Sequence, residues 1–384
     1  MKKKSLIISL AGATLLLCSM PSCMDLGETV YDKVQADHFG KNEAEIASIV
    51  GPVYRSLNQY VPYNFMALSE CSGDMAIVPT RKGGDWYDGG QYRELHMHSW
   101  TANTNQIKNC WSMATKSIST CNLVYSIVES NTFISDELKQ RTLAEIRGVR
   151  AIWFYIMMDN WGNIPLITDF KDTSLPTVTP RKEVYNFILK ELTEIKDVLR
   201  EDVSTASYGK FTKGAAYALL AKMYLNAEAW GVDVPRWQEA ADACDVVMKL
   251  GYTLESDWKA NFASNNESSM ETIFPICFSA NDQDLNGTDY RNRLFAWTLH
   301  YKDNLVLGLK VTGDNGVCGQ PDYVKLFDDA DIRKNGSFLL GEMIDPSTGK
   351  VIITAHDRPL IHTADVTIIP GTERDGTAWG DVNQ

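Results

Sequence analysis

From Ile107 onward, apolar side chains recur every three or four residues, through Trp111, Ala114, Ile118, Cys121, Tyr125 and Val128. That spacing draws one stripe along a helix and predicts a face turned to a core. A second helix is predicted after Ser135, which can accept a hydrogen bond from an otherwise unpaired N–H of the first turn. Asp136 and Glu137 follow it and complement the helix dipole. Its stripe runs Leu143, Ile146, Val149, Trp153, Ile156 and ends at "NWGNIP", where Gly162 and Pro165 oppose continuation.

The same pattern predicts further helices on both sides. Thr179 and Pro180 open one whose buried positions are Val184, Phe187, Ile188, Leu192, Ile195 and Leu199, because proline at the first helical position sacrifices no needed N–H. The next, "FTKGAAYALLAKMYLNAEAW", is alanine-rich on its apolar side and suits close helix packing. Another runs from Trp237 through Ala240, Cys244 and Val247 to Leu250 and is closed by Gly251, and an earlier one covers residues 42–59. Setting "RGVRAIWFYIMMDN" above "KGAAYALLAKMYLN" aligns Gly148 with Gly214 and Met157 with Met223 at an offset of 66 residues. This is close to twice the ~34-residue period of tetratricopeptide repeats. Glycine in mid-helix predicts a place where another backbone comes close. After residue 252 the periodicity fades. Turn clusters such as "NDQDLNG" and "DPSTGK" punctuate short apolar runs such as "TIFPICF" and "KVIITA", predicting a loop-rich region with a few small strands.

The first residues stand apart from this pattern. Lys2, Lys3 and Lys4 precede an apolar run, Leu6 to Leu17, too short to span a bilayer. "MPSC" follows and resembles the lipobox at which a leader is cut, leaving Cys23 lipidated as the first mature residue. The expected organisation is a signal peptide over 1–22 and a single module over 23–384, helical over about 40–251 and loop-rich over about 252–384. The formal net charge of −12 becomes more acidic once the leader lysines are removed, which disfavours nucleic acid as a partner. Later cysteines form no C-x-x-C pair and predict buried free thiols. Cys110 and Cys121 on one helix lie about 16 Å apart along its axis, too far to bridge.

No common signature of nucleophilic, zinc or nucleotide chemistry is present. His96 and His98 in "LHMHSW" would share a face of a strand, but no third ligand has an obvious spacing, and a structural role is favoured. "DQDLNGTD" reproduces the start of a calcium loop, with Asp282, Asp284 and Asn286 as oxygen ligands. The twelfth position is Arg293 instead of glutamate, so a calcium site needs donors from elsewhere. No other cofactor is indicated. Aromatic residues carry the sharper signal. "RKGGDWYDGG" at 81–90 sets Trp86 and Tyr87 among four glycines, which predict a loop, with Arg81, Asp85 and Asp88 beside them. Sugar rings stack C–H faces on aromatic planes and bond their hydroxyls to Asp, Asn and Arg. The alternative is that Trp86 fills a gap beneath the loop. Trp111, Trp153 and Trp237 are expected in the core.

Taken in order, Cys23, the early "GPVYRSLNQY", "RGVRAIWFYIMMDNWGNIPLIT", "FTKGAAYALLAKMYLNAE", "WQEAADACDVVMKLGYTLESDW" and the late "FDDADIRKNGSF" resemble the SusD/RagB family of glycan-binding lipoproteins. The resemblance implies a mainly α fold, a tetratricopeptide-like array of about four helix pairs packed against an irregular remainder. It further implies a lipid-anchored protein at the outer-membrane surface that binds oligosaccharides without cleaving them and delivers them to a SusC-like TonB-dependent transporter. The positions it nominates for glycan contact are Trp86, Tyr290 and Trp297, with Tyr87, Arg81 and Asp85 in the same loop. Members usually continue well past the late segment, so the chain is expected to be either a short member or C-terminally incomplete. Two other readings stay open on the residues themselves, a protein-interaction lipoprotein of tetratricopeptide type and a surface glycosidase.

Overall fold

The structure, a computed structural model, describes residues 39–60, 66–81, 85–278, 294–354 and 357–365. Six long helices form its frame among these residues: α1 Glu43–Tyr60, α4 Asn105–Ser130, α5 Asp136–Trp161, α6 Arg181–Ile195, α7 Lys213–Leu225 and α8 Trp237–Met248. Each packs on a sequence neighbour, α4 on α5, α5 on α6 and α7 on α8, while α1 lies against α4 and α5. These are the helices that the periodicity predicts, in the mainly α, tetratricopeptide-like array that the resemblance implies. None of the described helices is long and apolar enough to cross a membrane.

The predicted starts and stops act through local chemistry. Ser135 accepts a hydrogen bond from the Leu138 N–H at 3.2 Å, and Thr212 caps α7 in the same way through Ala215. Gly162 ends α5 with a φ of 75°. Pro180 is the N-cap of α6, one residue ahead of the predicted position. The last long helix stops at Met248, before Leu250, and Gly251 follows in the left-handed region with a φ of 98°. Trp237 corrects the core expectation: it opens α8 and is 61% exposed, because the buried line of that short helix runs through Ala240 and Ala243. Trp153 is fully buried and donates its indole N–H to Ser56 Oγ at 3.0 Å, while Trp111 is half-buried.

The two mid-helix glycines do admit a close neighbour, but it is an aromatic side chain in each case and not a backbone. A Cβ on Gly148 would lie 2.1 Å from the Phe211 ring, and one on Gly214 would lie 2.3 Å from the Tyr252 hydroxyl. Between α5 and α6 runs a buried polar bridge. Arg150 donates to Glu191 at 2.7 Å and to Asn122 at 2.9 Å, and Arg147 donates to the other Glu191 oxygen at 2.7 Å. Burial pushes the Glu191 carboxyl up, but the two guanidiniums hold it below its ordinary value overall. Cys71, Cys110 and Cys121 are buried, whereas Cys244 and Cys277 are exposed and Cys318 is intermediate.

Beyond residue 252 the chain is built from short pieces, among them helices α9 Leu294–Thr298, α10 Asp303–Leu307, α11 Pro321–Lys325 and α12 Ile332–Ser337. Two-residue strands pair antiparallel, and one of them, Cys318–Gly319, joins Ala76–Ile77 from the N-terminal part. "TIFPICF" forms no strand, while "KVIITA" supplies the strand Lys350–Val351 and a bridge from Ile353 to Pro359. Met343, Ile352 and Leu360 make a separate small core, against which Val306 and Leu339 pack.

Candidate functional site

Of the glycine-rich loop, residues 82–84 lie outside the described residues, and 85–90 form a turn with unusual backbone angles. Arg81 N–H donates to the Asp85 carbonyl at 2.8 Å, and Trp86, Asp88, Gly89 and Gly90 all have positive φ. For Trp86, at 58°, this is a strained conformation that persists only where the surroundings fix it. They do so from the far end of the chain. The Trp86 indole N–H donates to the Asp314 carbonyl at 2.7 Å, and its ring lies 5.7 Å from Trp297 and 5.9 Å from Tyr92, both at steep angles. A Cβ on Gly316 would stand 2.6 Å from the Trp86 ring, so only glycine leaves room for it.

Arg81 is the second clamp. It is buried, and its guanidinium donates to the carbonyls of Asn315 at 3.0 Å and Gly316 at 3.1 Å. Burial pulls its pKa down from the ordinary arginine value. The 314–317 segment is itself tied to α9 by backbone bonds from Asp314 to Ala296, Asn315 to Leu299, and Gly316 and Val317 to Trp297. The loop, α9 and the 314–317 segment are thereby one unit, with short helix α3, Gln91–His96, beneath it through Tyr92.

Two of the sequence-nominated residues therefore sit differently from the expectation. Trp297 lies in a helix and is only 8% exposed, so it supports Trp86 from within the core and presents no open face. Arg81 points inward to backbone carbonyls and is not a surface donor. Trp86 is half-buried in the same cluster, which combines both readings, a plug with part of its indole at the surface.

What reaches solvent is Asp85, half-buried Tyr87, and Tyr301, which is 43% exposed. Tyr301 donates its phenol to Asp85 Oδ2, so residues more than two hundred positions apart meet over the loop. Burial, then the Asp85 carboxylate, push the Tyr301 phenol up to about 12, which keeps it a donor at any physiological pH. An exposed aromatic ring fixed beside a carboxylate can stack on an apolar ring face and accept hydroxyl hydrogen bonds. Tyr301 is not among the positions nominated from the sequence, and no local pattern signals Tyr92 or the carbonyls at 314–316.

The remaining nominations fall elsewhere. Tyr290, Cys23 and the calcium candidates Asp282, Asp284 and Asn286 lie outside the described residues. His96 ends α3 and His98 follows in a turn with a φ of 52°, so the expected strand is absent and the pair shares no strand face. Among the described residues no cluster of three potential ligands could hold a metal ion.

A tetratricopeptide-like array carrying a rigid aromatic loop defines a class of binding proteins, and comparison with known proteins gives the family. Residues 30–225 match the SusD-like family model described as "Starch-binding associating with outer membrane". The chain belongs to this SusD-like family, a family of carbohydrate-binding proteins. A SusD-like protein of Bacteroides ovatus is 26% identical over 72% of the chain and 50% of the relative. The starch-binding protein SusD of Bacteroides thetaiotaomicron is 29% identical over 40% of the chain and 29% of that protein. The chain spans half or less of the length of the curated relatives it matches. Among solved structures, a laminarin binding SusD-like protein superposes with a TM-score of 0.66 at 20% identity, over 78% of this chain and 67% of the other. Surface glycan-binding protein A from Bacteroides thetaiotaomicron, in complex with laminarihexaose, gives 0.63 at 19% identity, over 76% and 62%. At these identities the likeness is one of fold.

Proposed function

We propose that this chain is a surface glycan-binding lipoprotein that captures oligosaccharides and passes them to a SusC-like TonB-dependent transporter, held at the outer membrane by acyl chains on Cys23. The observation that carries the binding part is the Tyr301–Asp85 pair above the Trp86 loop, an exposed aromatic and a carboxylate held in fixed relation. Tyr87 and the open part of Trp86 extend that surface, and Tyr290 is a further candidate contact. Trp297 and Arg81 act by holding the loop in place. Two or more acyl chains are enough for stable anchoring, so Cys23→Ala should move the protein from the membrane to the soluble fraction of fractionated cells.

Affinity electrophoresis of the leaderless protein in gels containing starch, laminarin or other polysaccharides tests the binding reading. Retardation without release of reducing ends is expected, and Tyr301→Ala should weaken it with little change in melting temperature. Released reducing ends would establish a glycosidase instead. No retardation by any polysaccharide would favour the protein-interaction reading.

A further inference from the structure

The turn that carries Tyr301 is held by the residue before it. The His300 N–H donates to Asp303 Oδ2 at 2.8 Å, its carbonyl accepts from the Asp303 N–H at 3.1 Å, and its ring Nδ1 accepts from the Lys302 N–H at 3.2 Å. The last of these bonds fixes the state of the ring. A backbone N–H can only donate, so Nδ1 carries no proton and the imidazole is neutral, with its proton on Nε2. Protonating Nδ1 would set two N–H groups against each other, and the turn could not keep its shape.

The surroundings of the ring also oppose a charge on it. His300 is half-buried, and the His362 ring lies 6.2 Å away at a steep angle. Arg81, the clamp of the Trp86 loop, and Lys302 face it with positive charge, and Asp303 faces it with negative charge. That carboxylate is already engaged, its Oδ1 by His362 and its Oδ2 by the His300 N–H. Burial pushes the His300 ring down to about 4, opposed by Asp303 and assisted by His362, Arg81 and Lys302. The remaining titratable neighbour is Tyr301 itself, whose ring is 5.6 Å from the imidazole and whose phenol reaches across to Asp85.

We infer that His300 is the positioning residue of the Tyr301–Asp85 pair and holds it only as a neutral imidazole, so that mild acid opens the turn and separates the two side chains. Its effect on binding rests on the glycan-binding reading above; the opening itself does not. In the opened turn the ring regains the ordinary histidine pKa near 6.5. The stability that the neutral ring contributes to the closed turn is therefore complete above about 6.5 and is lost as pH falls through the folded value of about 4.

Hydrogen–deuterium exchange of the whole leaderless protein, read by mass spectrometry on peptides covering 299–305 and corrected for intrinsic rates, tests the opening without a ligand. Since pH 5 lies above the ordinary carboxylate range, ~3.9–4.3, the step from pH 7 to pH 5 acts mainly on imidazoles. Protection of these peptides is expected to fall about tenfold or more over that step, while α5 stays protected. In His300→Asn the amide oxygen can accept the Lys302 N–H and takes up no proton, so the turn should be equally protected at both pH values. A fall that persists in His300→Asn would assign the step to His362 and overturn the inference. Wild-type protection that does not change with pH would overturn it too, even if His300→Asn failed to fold. Retardation by starch or laminarin at the two pH values reads the consequence: weaker at pH 5 in the wild type, equal in His300→Asn. Constant wild-type retardation despite faster exchange would overturn the positioning role. Absence of retardation at either pH would overturn the glycan-binding reading alone, since exchange decides the opening separately.

Discussion

Trp86 shows how one side chain can be scaffold and surface together. Its backbone is strained, by about 1–3 kcal/mol for such conformations. The indole hydrogen bond to Asp314 and the packing on Trp297 and Tyr92 hold it there. Trp86→Ala is expected to destabilise the protein by about 2–3 kcal/mol, below the ~3–5 of a fully buried tryptophan, as read by denaturant unfolding. Gly316→Ala attacks the same contact from the other side, because its Cβ would meet the ring at 2.6 Å. It should lower the melting temperature and weaken glycan retardation together, since the ring and the 314–317 segment cannot both stay in place. An unchanged melting temperature in Gly316→Ala would show that the loop is not clamped as described. The glycines around Trp86 made the loop legible in the sequence. Its burial was not, because the contacts that decide it come from carbonyls more than two hundred residues away, and no local pattern encodes them.

At the scale of elements, stripes and caps carried most of the array. Ser135 and Gly162 act within one turn of their own position, which is why both ends of α5 could be placed from residue types alone. Trp237 and Trp297 were misjudged for the converse reason. Which face of a five- or twelve-residue helix is buried depends on a neighbour that periodicity does not name. The α5–α6 contact, in turn, depends on a charge bridge that amphipathic pattern cannot reveal. Glu191 is buried between Arg147 and Arg150 and has a lowered pKa in the folded state. Its contribution to stability is therefore present above the unfolded carboxylate range, ~4.3, and lost as pH falls through the lower folded value. Glu191→Ala leaves the buried Arg150 without its carboxylate and Arg147 with Glu194 alone, and should cost about 3–5 kcal/mol at neutral pH. Urea unfolding at pH 7 and at acid pH checks both statements: the gap between wild type and variant should narrow as pH falls, and a constant gap would remove the linkage.

At the scale of the molecule, the long helices among the described residues lie within 43–248, and the later part adds its own small core of Met343, Ile352 and Leu360. That core is too small to hold itself together, since three buried side chains contribute only about 1.5–3 kcal/mol each against the ordering of the strands around them. Its attachment to the body runs through Val306, the hydrogen bond that Lys302 Nζ donates to the Ile353 carbonyl, and the buried His362–Asp303 pair at 2.8 Å. Asp303 also accepts from the His300 N–H and so fixes the turn that leads into α10, immediately beside Tyr301. His362→Ala should consequently do two things that a purely local change would not. Limited proteolysis should cut first between residues 341 and 365, while the helical array survives as a resistant fragment. Glycan retardation should weaken as well, because Asp303 loses the partner that keeps the turn, and with it Tyr301, in register with Asp85. If the small core is released without any effect on retardation, Tyr301 is positioned by the Trp86 loop alone, and the β-strand unit is an independent appendage.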